Sequence, residues 1–388
     1  MKKLLLCCLL GACSGGGGRD ATVEVMEPAT TDFFVFDLES SIDEEPRATT
    51  FNELVDSIAY LPLETHKDAL LPVSYKFAKI GGDIFIGGGS IPGLAPIYRF
   101  DSLGRFVRQM TYNGRGPNEI FLAMEWFANP NLGQINVVST GRRMVVFSTE
   151  GDGRFTIEYD ESQGFHRVPL NDSTFVSAKV LSSASRSNAY LFFTDRTGEV
   201  VHSVERADEL ADYDHETSEY DWSWPYENYW LAADYRGDAL FHDIFNDTLY
   251  RVRSRREISP HLVFERGSLS PRPEDTHRLE EKDKQIYFAS AIESGDHVFL
   301  SYWYKGLMWS DVWSKRDGGL DMRAAITGDV GDIFVPFALP DGSVVELQIA
   351  YADKECVYGI LGALDACKFL SDVHEDDNPV IVVARLRR

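Results

Sequence analysis

Short apolar runs recur along the chain at a nearly constant spacing. Each holds four or five residues that are mostly aliphatic or aromatic, and glycine, aspartate or asparagine separates it from the next. Runs of this length and composition are typical of β-strands. Five of them begin at positions 83, 134, 188, 238 and 296, about fifty residues apart. Because a four-stranded propeller blade has this length, the spacing predicts an all-β repeat fold.

Second strands follow several of these runs. Ile97–Val107 and Met144–Phe155 each contain two apolar stretches around a turn with glycine, which is the pattern of a β-hairpin. Near the C-terminus, Ile333–Ala338 and Ser343–Ile349 add one more pair of strands. The runs therefore predict six blades.

One closed ring accounts for most of the chain. Six blades of about fifty residues need roughly 300 residues, and residues 51–388 supply 338. Such a ring must protect the open edges of its first and last blades. The runs Ser57–Leu61 and Val380–Val383, one near each end, are the predicted closing strands. The predicted fold class is an all-β six-bladed β-propeller over residues 33–388.

The N-terminal segment predicts export. Lys2 and Lys3 precede the apolar stretch Leu4–Ala12, which is too short to span a bilayer, so residues 1–12 are predicted to be a secretory signal peptide. The sequence Leu-Gly-Ala-Cys that ends at Cys13 resembles the lipobox of bacterial lipoproteins. This resemblance implies cleavage before Cys13 and lipidation of that residue, with acyl chains such as palmitate. Residues 13–32 would then form a flexible, glycine-rich tether. The alternative is a soluble secreted protein.

Composition and charge exclude two classes of protein. With 44% hydrophobic and 26% charged residues, the chain can bury a large core, which excludes a fully disordered protein. The 61 acidic and 38 basic residues give a formal net charge of −23, which repels phosphate backbones. No nucleic acid is predicted as a partner.

Two cysteines remain for the exported domain. Cys7 and Cys8 lie in the signal peptide and Cys13 is the predicted lipidation site, which leaves Cys356 and Cys367. These two could form a disulfide in an oxidising compartment. Two reduced cysteines are the alternative.

Four motifs follow one another in the order of a known family. They are Phe51–Thr65, Arg115–Glu119 with its Gly-Pro turn, Phe245–Tyr250 with Asn-Asp-Thr, and Asp376–Val380 before the last strand. Together with the lipobox, they resemble the six-bladed β-propeller lipoproteins of Bacteroidota, whose architecture is related to NHL-repeat propellers. The resemblance implies the propeller fold and an envelope location, often beside outer-membrane glycan-uptake systems. It implies no reaction, and it leaves open which face of the membrane the protein occupies.

Catalytic and metal-binding motifs are absent from the sequence. There is no Gly-x-Ser-x-Gly elbow, His-Glu-x-x-His pair, phosphate-binding loop or EF-hand loop. The nine histidines have no metal-ligand spacing. No catalytic residue, metal ligand or cofactor is therefore predicted, although carboxylates from several blades could hold calcium on the axis.

Arg115 and Glu119 are the first candidate ligand-binding residues. They flank Gly116 and Pro117, whose turn would place a guanidinium and a carboxylate at the mouth of the ring. The alternative is structural, with the two charges stabilising a connection between blades.

Tryptophans and tyrosines supply the other candidates. Trp222, Trp224, Tyr226 and Trp230 lie within one acidic segment. Aromatic faces stack on sugar rings while neighbouring carboxylates accept hydrogen bonds from hydroxyl groups, so the segment predicts a glycan site. Packing of the rings between blades is the alternative.

These observations favour a lipid-anchored binding module of the cell envelope that does not catalyse a reaction. Its predicted ligand is a glycan or a partner protein, such as an outer-membrane transporter. One alternative is a hydrolase or lyase with calcium in the axial funnel. The other is a pure docking scaffold.

Overall fold

The chain forms short strands throughout, as its apolar runs predict. The computed structural model describes residues 33–71, 75–88, 96–114, 116, 119–121, 123–139, 142–160, 167–178, 189–205, 229–272, 283–326 and 331–387. Its first elements are β1 (Phe34–Asp37), a short α-helix (Leu38–Ser41), a 3-10 helix (Phe51–Leu54) and β2 (Val55–Pro62). No helix among the described residues is long and apolar enough to span a bilayer.

The first three blades are antiparallel sheets of four strands each. Blade one consists of β3 (Tyr75–Ile80), β4 (Asp83–Gly88), β5 (Ile97–Phe100) and β6 (Phe106–Gln109). A small parallel pair follows, β7 (Tyr112–Asn113) and β8 (Glu119–Ile120). Blade two consists of β9 (Ala123–Asn129), β10 (Gln134–Ser139), β11 (Arg143–Ser148) and β12 (Gly153–Glu158). Blade three consists of β13 (Arg167–Pro169), β14 (Phe175–Ala178), β15 (Ala189–Thr194) and β16 (Val200–Glu205).

The remaining strands form blades four to six. Blade four contains β17 (Tyr229–Ala233), β18 (Ala239–Asp243), β19 (Thr248–Ser254) and β20 (Glu257–Glu265). Blade five contains β21 (Tyr287–Glu293), β22 (His297–Tyr304), β23 (Leu307–Ser314) and β24 (Leu320–Ile326). Blade six contains β25 (Ile333–Ala338), β26 (Val344–Ala352), β27 (Cys356–Leu361) and β28 (Val380–Leu386). The fold is thus the predicted six-bladed β-propeller.

The two ends of the chain close the ring, as predicted. β2 pairs antiparallel with β28, and Tyr60 lies opposite Val382. β26 contacts β3 and β21, the first strands of blades one and five, so β26 occupies the first-strand position of blade six. Its N-terminal half pairs with β25 and its C-terminal half with β27. β25 is therefore an additional fifth strand.

A second segment near the N-terminus is also part of the fold. β1 pairs in parallel with β20 and adds a fifth strand to blade four, an element that the apolar spacing does not predict. Its Phe36 is fully buried, with ring centroids 5.7 Å from Phe264 and 5.6 Å from Trp313 of blade five. The N-terminal segment therefore bridges two blades before it reaches β2.

The core lies between the faces of neighbouring blades. One cluster packs Val138 and Val146 of blade two against Phe175 and Phe193 of blade three. Because a blade has a neighbour on both faces, its inner strands are buried on both sides, and all six residues of β10 are buried. This arrangement explains why the sequences of the inner strands are continuous apolar runs and not a strict alternation of apolar and polar residues.

One of the evenly spaced runs holds a different place in its blade. The runs at 83, 134, 238 and 296 coincide with second strands, whereas the run at 188 is β15, the third strand of blade three. The second strand of that blade, β14, has four residues and is too short to stand out. The number of blades was predicted correctly, and each run lies in a blade of its own, but the run of blade three is one strand further from the first strand than the others.

Candidate binding site at the inner turns of the ring

The turns between the first and second strands of the blades, here called the inner turns, meet near the axis. Gly295 N–H in blade five donates to Lys354 O in blade six, at 3.2 Å. Asn131 Nδ2 in the inner turn of blade two donates to Arg236 O in that of blade four. Because β13 is short, β17 also contacts β9 of blade two directly. The inner turns thus form one continuous surface.

The inner turn of blade four is built by its own sequence, Asp-Tyr-Arg-Gly-Asp. The carboxylate of Asp234 accepts hydrogen bonds from the backbone N–H of Arg236, at 2.8 Å, and of Asp238, at 3.0 Å. Gly237 has a φ of +81°, a conformation that glycine adopts without a steric cost. These bonds place Tyr235 and Arg236 at the tip of the turn.

A buried carboxylate at the end of β21 forms ion pairs with several basic side chains. Glu293 lies 2.6 Å from His261 Nε2 and 2.6 Å from Lys315 Nζ. Arg251 lies 3.3 Å and Arg236 3.4 Å from the same carboxylate. We call these five residues the Glu293 cluster. It joins blades four and five.

Burial and ion pairing act in opposite directions on the pKa values of this cluster. Burial tends to raise the pKa of Glu293, but hydrogen bonds and charge from His261 and Lys315 outweigh it and lower that pKa to about 2. Burial lowers the pKa of His261 and of Lys315, despite the nearby carboxylate. Because burial favours neutral imidazole, we take Lys315 as the main counter-charge of Glu293.

Two further carboxylates extend the network toward the surface. Arg251 lies 3.4 Å from Asp234 and 3.4 Å from Asp238. Burial and the charge of Asp238 raise the pKa of Asp234. The side chain of Arg236 is 41% exposed, whereas those of Arg251, His261 and Lys315 are 11% exposed or less. Arg236 is therefore the cation of the cluster that a ligand can reach.

Two tyrosines lie opposite each other beside the inner turn of blade six. Tyr358 accepts a hydrogen bond from Lys79 Nζ, at 2.6 Å, and donates one to Asp353, at 3.0 Å. Its ring centroid lies 5.7 Å from that of Tyr351. Burial, followed by the charges of Asp353 and Asp234, raises the pKa of Tyr351.

The arrangement is suited to recognition of a polar ligand. It offers the half-exposed guanidinium of Arg236, whose carbon lies 4.9 Å from the Tyr235 ring centroid, at the tip of the inner turn of blade four. The carboxylates behind it are engaged by cations of the chain itself. Among the described residues, no group of three or more His, Cys, Asp or Glu side chains has the arrangement of a metal site.

The comparison with known families covers nearly the whole described chain. A family described as a domain of unknown function, DUF4934, matches residues 33–385. The chain belongs to the DUF4934 family. No curated protein is significantly similar to it.

A solved structure shows the same fold as this DUF4934 chain. A protein from Bacteroides fragilis NCTC 9343, described as exported, is similar with a TM-score of 0.62 at 14% identity, over 92% of this chain and 100% of the other. A member of the DUF4221 family from Bacteroides vulgatus ATCC 8482 is 12% identical, over 86% of this chain and 97% of the other, with a TM-score of 0.49. The first likeness supports the propeller fold. The predicted kinship with NHL-type lipoproteins stays a prediction.

Several predicted site residues of this DUF4934 chain lie outside the described residues. They are Cys13, Arg115, Trp222, Trp224 and Tyr226. Their predicted roles stay predictions.

Glu119 of the Gly-Pro turn lies in the described part of the chain. Its carboxylate accepts a hydrogen bond from the Gly116 N–H, at 2.8 Å, and it begins β8, whose Ile120 is buried. Glu119 thus stabilises its own turn. This contact agrees with the structural alternative for the turn and leaves the ligand-binding role of Glu119 a prediction.

Trp230 is half-buried in β17. Its ring packs edge-on against Phe288 of blade five, with centroids 5.4 Å apart. It belongs to the core cluster between these two blades. Trp230 therefore has the packing role that the sequence left as an alternative, and a ligand could reach only its remaining exposed part.

Both remaining cysteines are free thiols in the structure. Cys356 begins β27 and packs beside the cluster between blades six and one. Cys367 ends the short helix Ala363–Ala366 and packs against a different cluster. Each thiol thus has its own packing environment, and the disulfide stays a prediction.

The family-like motifs act as structural braces. Asp247 accepts hydrogen bonds from Arg266 Nε, at 2.8 Å, and from Ser270 Oγ, at 3.0 Å. Asn378 is buried and its amide donates to Glu64 O and Ala69 O. Both motifs therefore hold connecting segments against the blades.

An open cleft of about 540 Å³ lies between the N-terminal segment and blades five and six. Its polar side chains have partners within the chain. Arg47 lies 2.7 Å from Asp317 and 3.1 Å from Asp321. Asn52 exchanges two hydrogen bonds with the backbone of Ala338. The cleft thus marks the place where the N-terminal segment packs against blades five and six.

Sequence reasoning missed the inner-turn site. Its residues come from four blades and span positions 79 to 358, so no motif unites them. The available signal was Tyr235-Arg236 just before the apolar run that begins at position 238, two residues that tight turns do not require.

Proposed function

We propose that the chain is a non-catalytic binding module of the cell envelope and that it binds a glycan at its inner turns. The observation that carries the proposal is the placement of Tyr235 and the half-exposed Arg236 together at the tip of the inner turn of blade four. Tyrosine rings stack on sugar rings, and guanidinium groups donate to their oxygens. The buried Glu293 cluster holds this surface rigid.

We also propose that Cys13 carries the lipid that anchors the protein. The Leu-Gly-Ala-Cys sequence supports this assignment, and the similar B. fragilis protein is described as exported. Several acyl chains anchor a protein stably where one binds it weakly. In cell fractions, the wild-type protein should sediment with membranes, and Cys13→Ser should release it. A Cys13→Ser protein that stays in the membrane fraction would overturn the anchor.

Glycan binding is tested by calorimetry on the purified protein with a panel of oligosaccharides. Tyr235→Ala should weaken binding about tenfold because it removes one stacking ring. Tyr112→Ala, which removes an exposed tyrosine of β7, is the matched control and should leave binding unchanged. Each variant's melting temperature is measured alongside, so that loss of folding is recognised.

The enzyme and scaffold alternatives predict different results in these binding and melting-temperature measurements. A rise in melting temperature with calcium that a chelator reverses would favour a calcium-dependent hydrolase or lyase. Absence of binding to every oligosaccharide would contradict the glycan proposal. A scaffold for an outer-membrane transporter would then be the better account.

A further inference from the structure

We infer that the inner-turn site takes an acidic glycan and that Arg236 contacts a carboxylate of this ligand. The inference rests on the proposed function and adds the class of sugar. It follows from how Arg236 is held compared with the other cations of the Glu293 cluster.

Arg236 makes longer ion pairs than Lys315 and His261, and it is the most exposed cation of the cluster. Its two ion pairs, with Asp234 and Glu293, measure 3.3 Å and 3.4 Å. Lys315 and His261 lie 2.6 Å from the same Glu293. Short, charge-assisted hydrogen bonds are the strong ones. The contacts of Arg236 are thus the easiest of these to exchange for others.

Both buried carboxylates stay paired when Arg236 turns toward a ligand. Asp234 keeps Arg251, at 3.4 Å. Glu293 keeps Lys315, His261 and Arg251. Leaving a buried charge without a partner is costly. The movement of Arg236 leaves neither of these two carboxylates unpaired. The buried network therefore does not depend on this arginine.

The exposed part of the site favours an anion. Arg236 is 41% exposed and lies over the Tyr235 ring, which limits the orientations of its guanidinium. A guanidinium presents two parallel N–H groups that match the two oxygens of a carboxylate. Since the protein as a whole carries a net charge of −23, an acidic sugar needs such a local cation to bind.

The chain contains a matched control for Arg236. Arg253 is 42% exposed, against 41% for Arg236, and it also makes two ion pairs, with Asp238 and Glu257. It contacts neither Glu293 nor Tyr235 in the described interactions. Arg253→Gln therefore removes one half-exposed positive charge from the same blade without changing the proposed carboxylate contact.

The experiment compares a trimer of galacturonic acid with a trimer of galactose, its neutral counterpart. The acidic trimer should bind the wild-type protein more tightly. Arg236→Gln should weaken binding of the acidic trimer about tenfold and leave the neutral trimer within about twofold, since one charge-assisted contact is lost. Arg253→Gln should change neither. Arg236→Lys, which keeps the charge but not the paired N–H groups, should fall in between.

Each other outcome decides between the two proposals. If Arg236→Gln weakens both trimers equally, or neither, the inference is wrong and glycan binding stands. If neither trimer nor any other oligosaccharide binds, glycan binding fails and the inference fails with it. Should Arg236→Gln lower the melting temperature strongly, Arg236→Lys serves as the test, and equal affinity for both trimers in that variant and in wild type would overturn the inference.

Discussion

Lys315 Nζ lies 2.6 Å from Glu293 Oε1, so the turn after the third strand of blade five reaches back to the end of its first strand. Both side chains are at most 5% exposed. The same ammonium group also lies 5.5 Å from the ring centroid of Phe34 in the N-terminal segment. One buried ion pair thus connects the inner turns, the blade and the first strand of the chain.

Glu293 makes the stability of the fold fall at low pH. Its pKa is about 2 in the folded chain, below the ordinary value of 4.5, so the unfolded chain takes up this proton first as the pH falls. The stabilisation is complete above about pH 4.5 and is lost toward pH 2. In Glu293→Gln this loss should disappear, and at pH 7 the variant should be less stable by about 3 kcal/mol because Lys315 loses its buried partner.

Urea unfolding at pH 7, 5 and 3 measures this effect. Glu355→Gln is the control, because Glu355 is 53% exposed and pairs with an exposed arginine, so its loss should cost less than about 1 kcal/mol. A Glu293→Gln protein that loses stability between pH 5 and 3 as steeply as wild type would contradict the assignment.

Arg266 is predicted to be essential for the stability of blade four. It is 1% exposed, and its NH1 donates to the carbonyl oxygens of Ile244 and Ile286 while its Nε binds Asp247. Arg266→Ala would remove this donor from the carbonyl oxygens of Ile244 and Ile286 and the positive charge beside Asp247, and it should cost about 3 kcal/mol or more. Arg253→Ala should cost less than about 1 kcal/mol, since both of its ion pairs are partly exposed. Thermal or urea unfolding compares the two, and equal losses would refute the role of Arg266.

Substitutions at two glycines that share a backbone conformation distinguish the cost of a steric overlap from the cost of backbone strain. Gly198 has a φ of +86° and Gly342 a φ of +85°. A Cβ at Gly198 would overlap the carbonyl oxygen of Glu158 in blade two, whereas one at Gly342 would meet no atom within 4 Å. Gly342→Ala should cost about 1 kcal/mol from strain, and Gly198→Ala at least about 1 kcal/mol more. Equal unfolding midpoints for the two variants would show that the blades separate easily at this contact.

The fold was predictable where burial leaves a trace in the sequence. Strands such as β10 lie between two blades, so they appear as continuous apolar runs. The closing pair of β2 and β28 could be identified because both strands are apolar and lie near the chain ends. β14 and β13 escaped notice because strands of three or four residues are too short to form a pattern.

The site was less predictable because its contacts are non-local. Glu293, His261 and Arg236 lie on different strands and turns, and each is an ordinary polar residue in the sequence. Trp230 shows the converse. An aromatic residue that stood out in the sequence packs on Phe288 between two blades, because large rings also fill the space between sheets.

The N-terminal strand β1 is predicted to dock as a unit that can open before the ring does. Phe36 is fully buried between blades four and five, while Phe33, three residues earlier, is 42% exposed. Phe36→Ala removes the stacking on Phe264 and Trp313 and should destabilise the docked strand by about 3 kcal/mol, whereas Phe33→Ala should have little effect. Because β1 makes its strand pairing only with β20 at the outer edge of blade four, its loss leaves the closing pair of β2 and β28 intact. Hydrogen exchange should therefore speed up in β1 and β20 of Phe36→Ala while exchange in β28 stays slow. Uniform acceleration across all six blades would show instead that β1 and the ring unfold together.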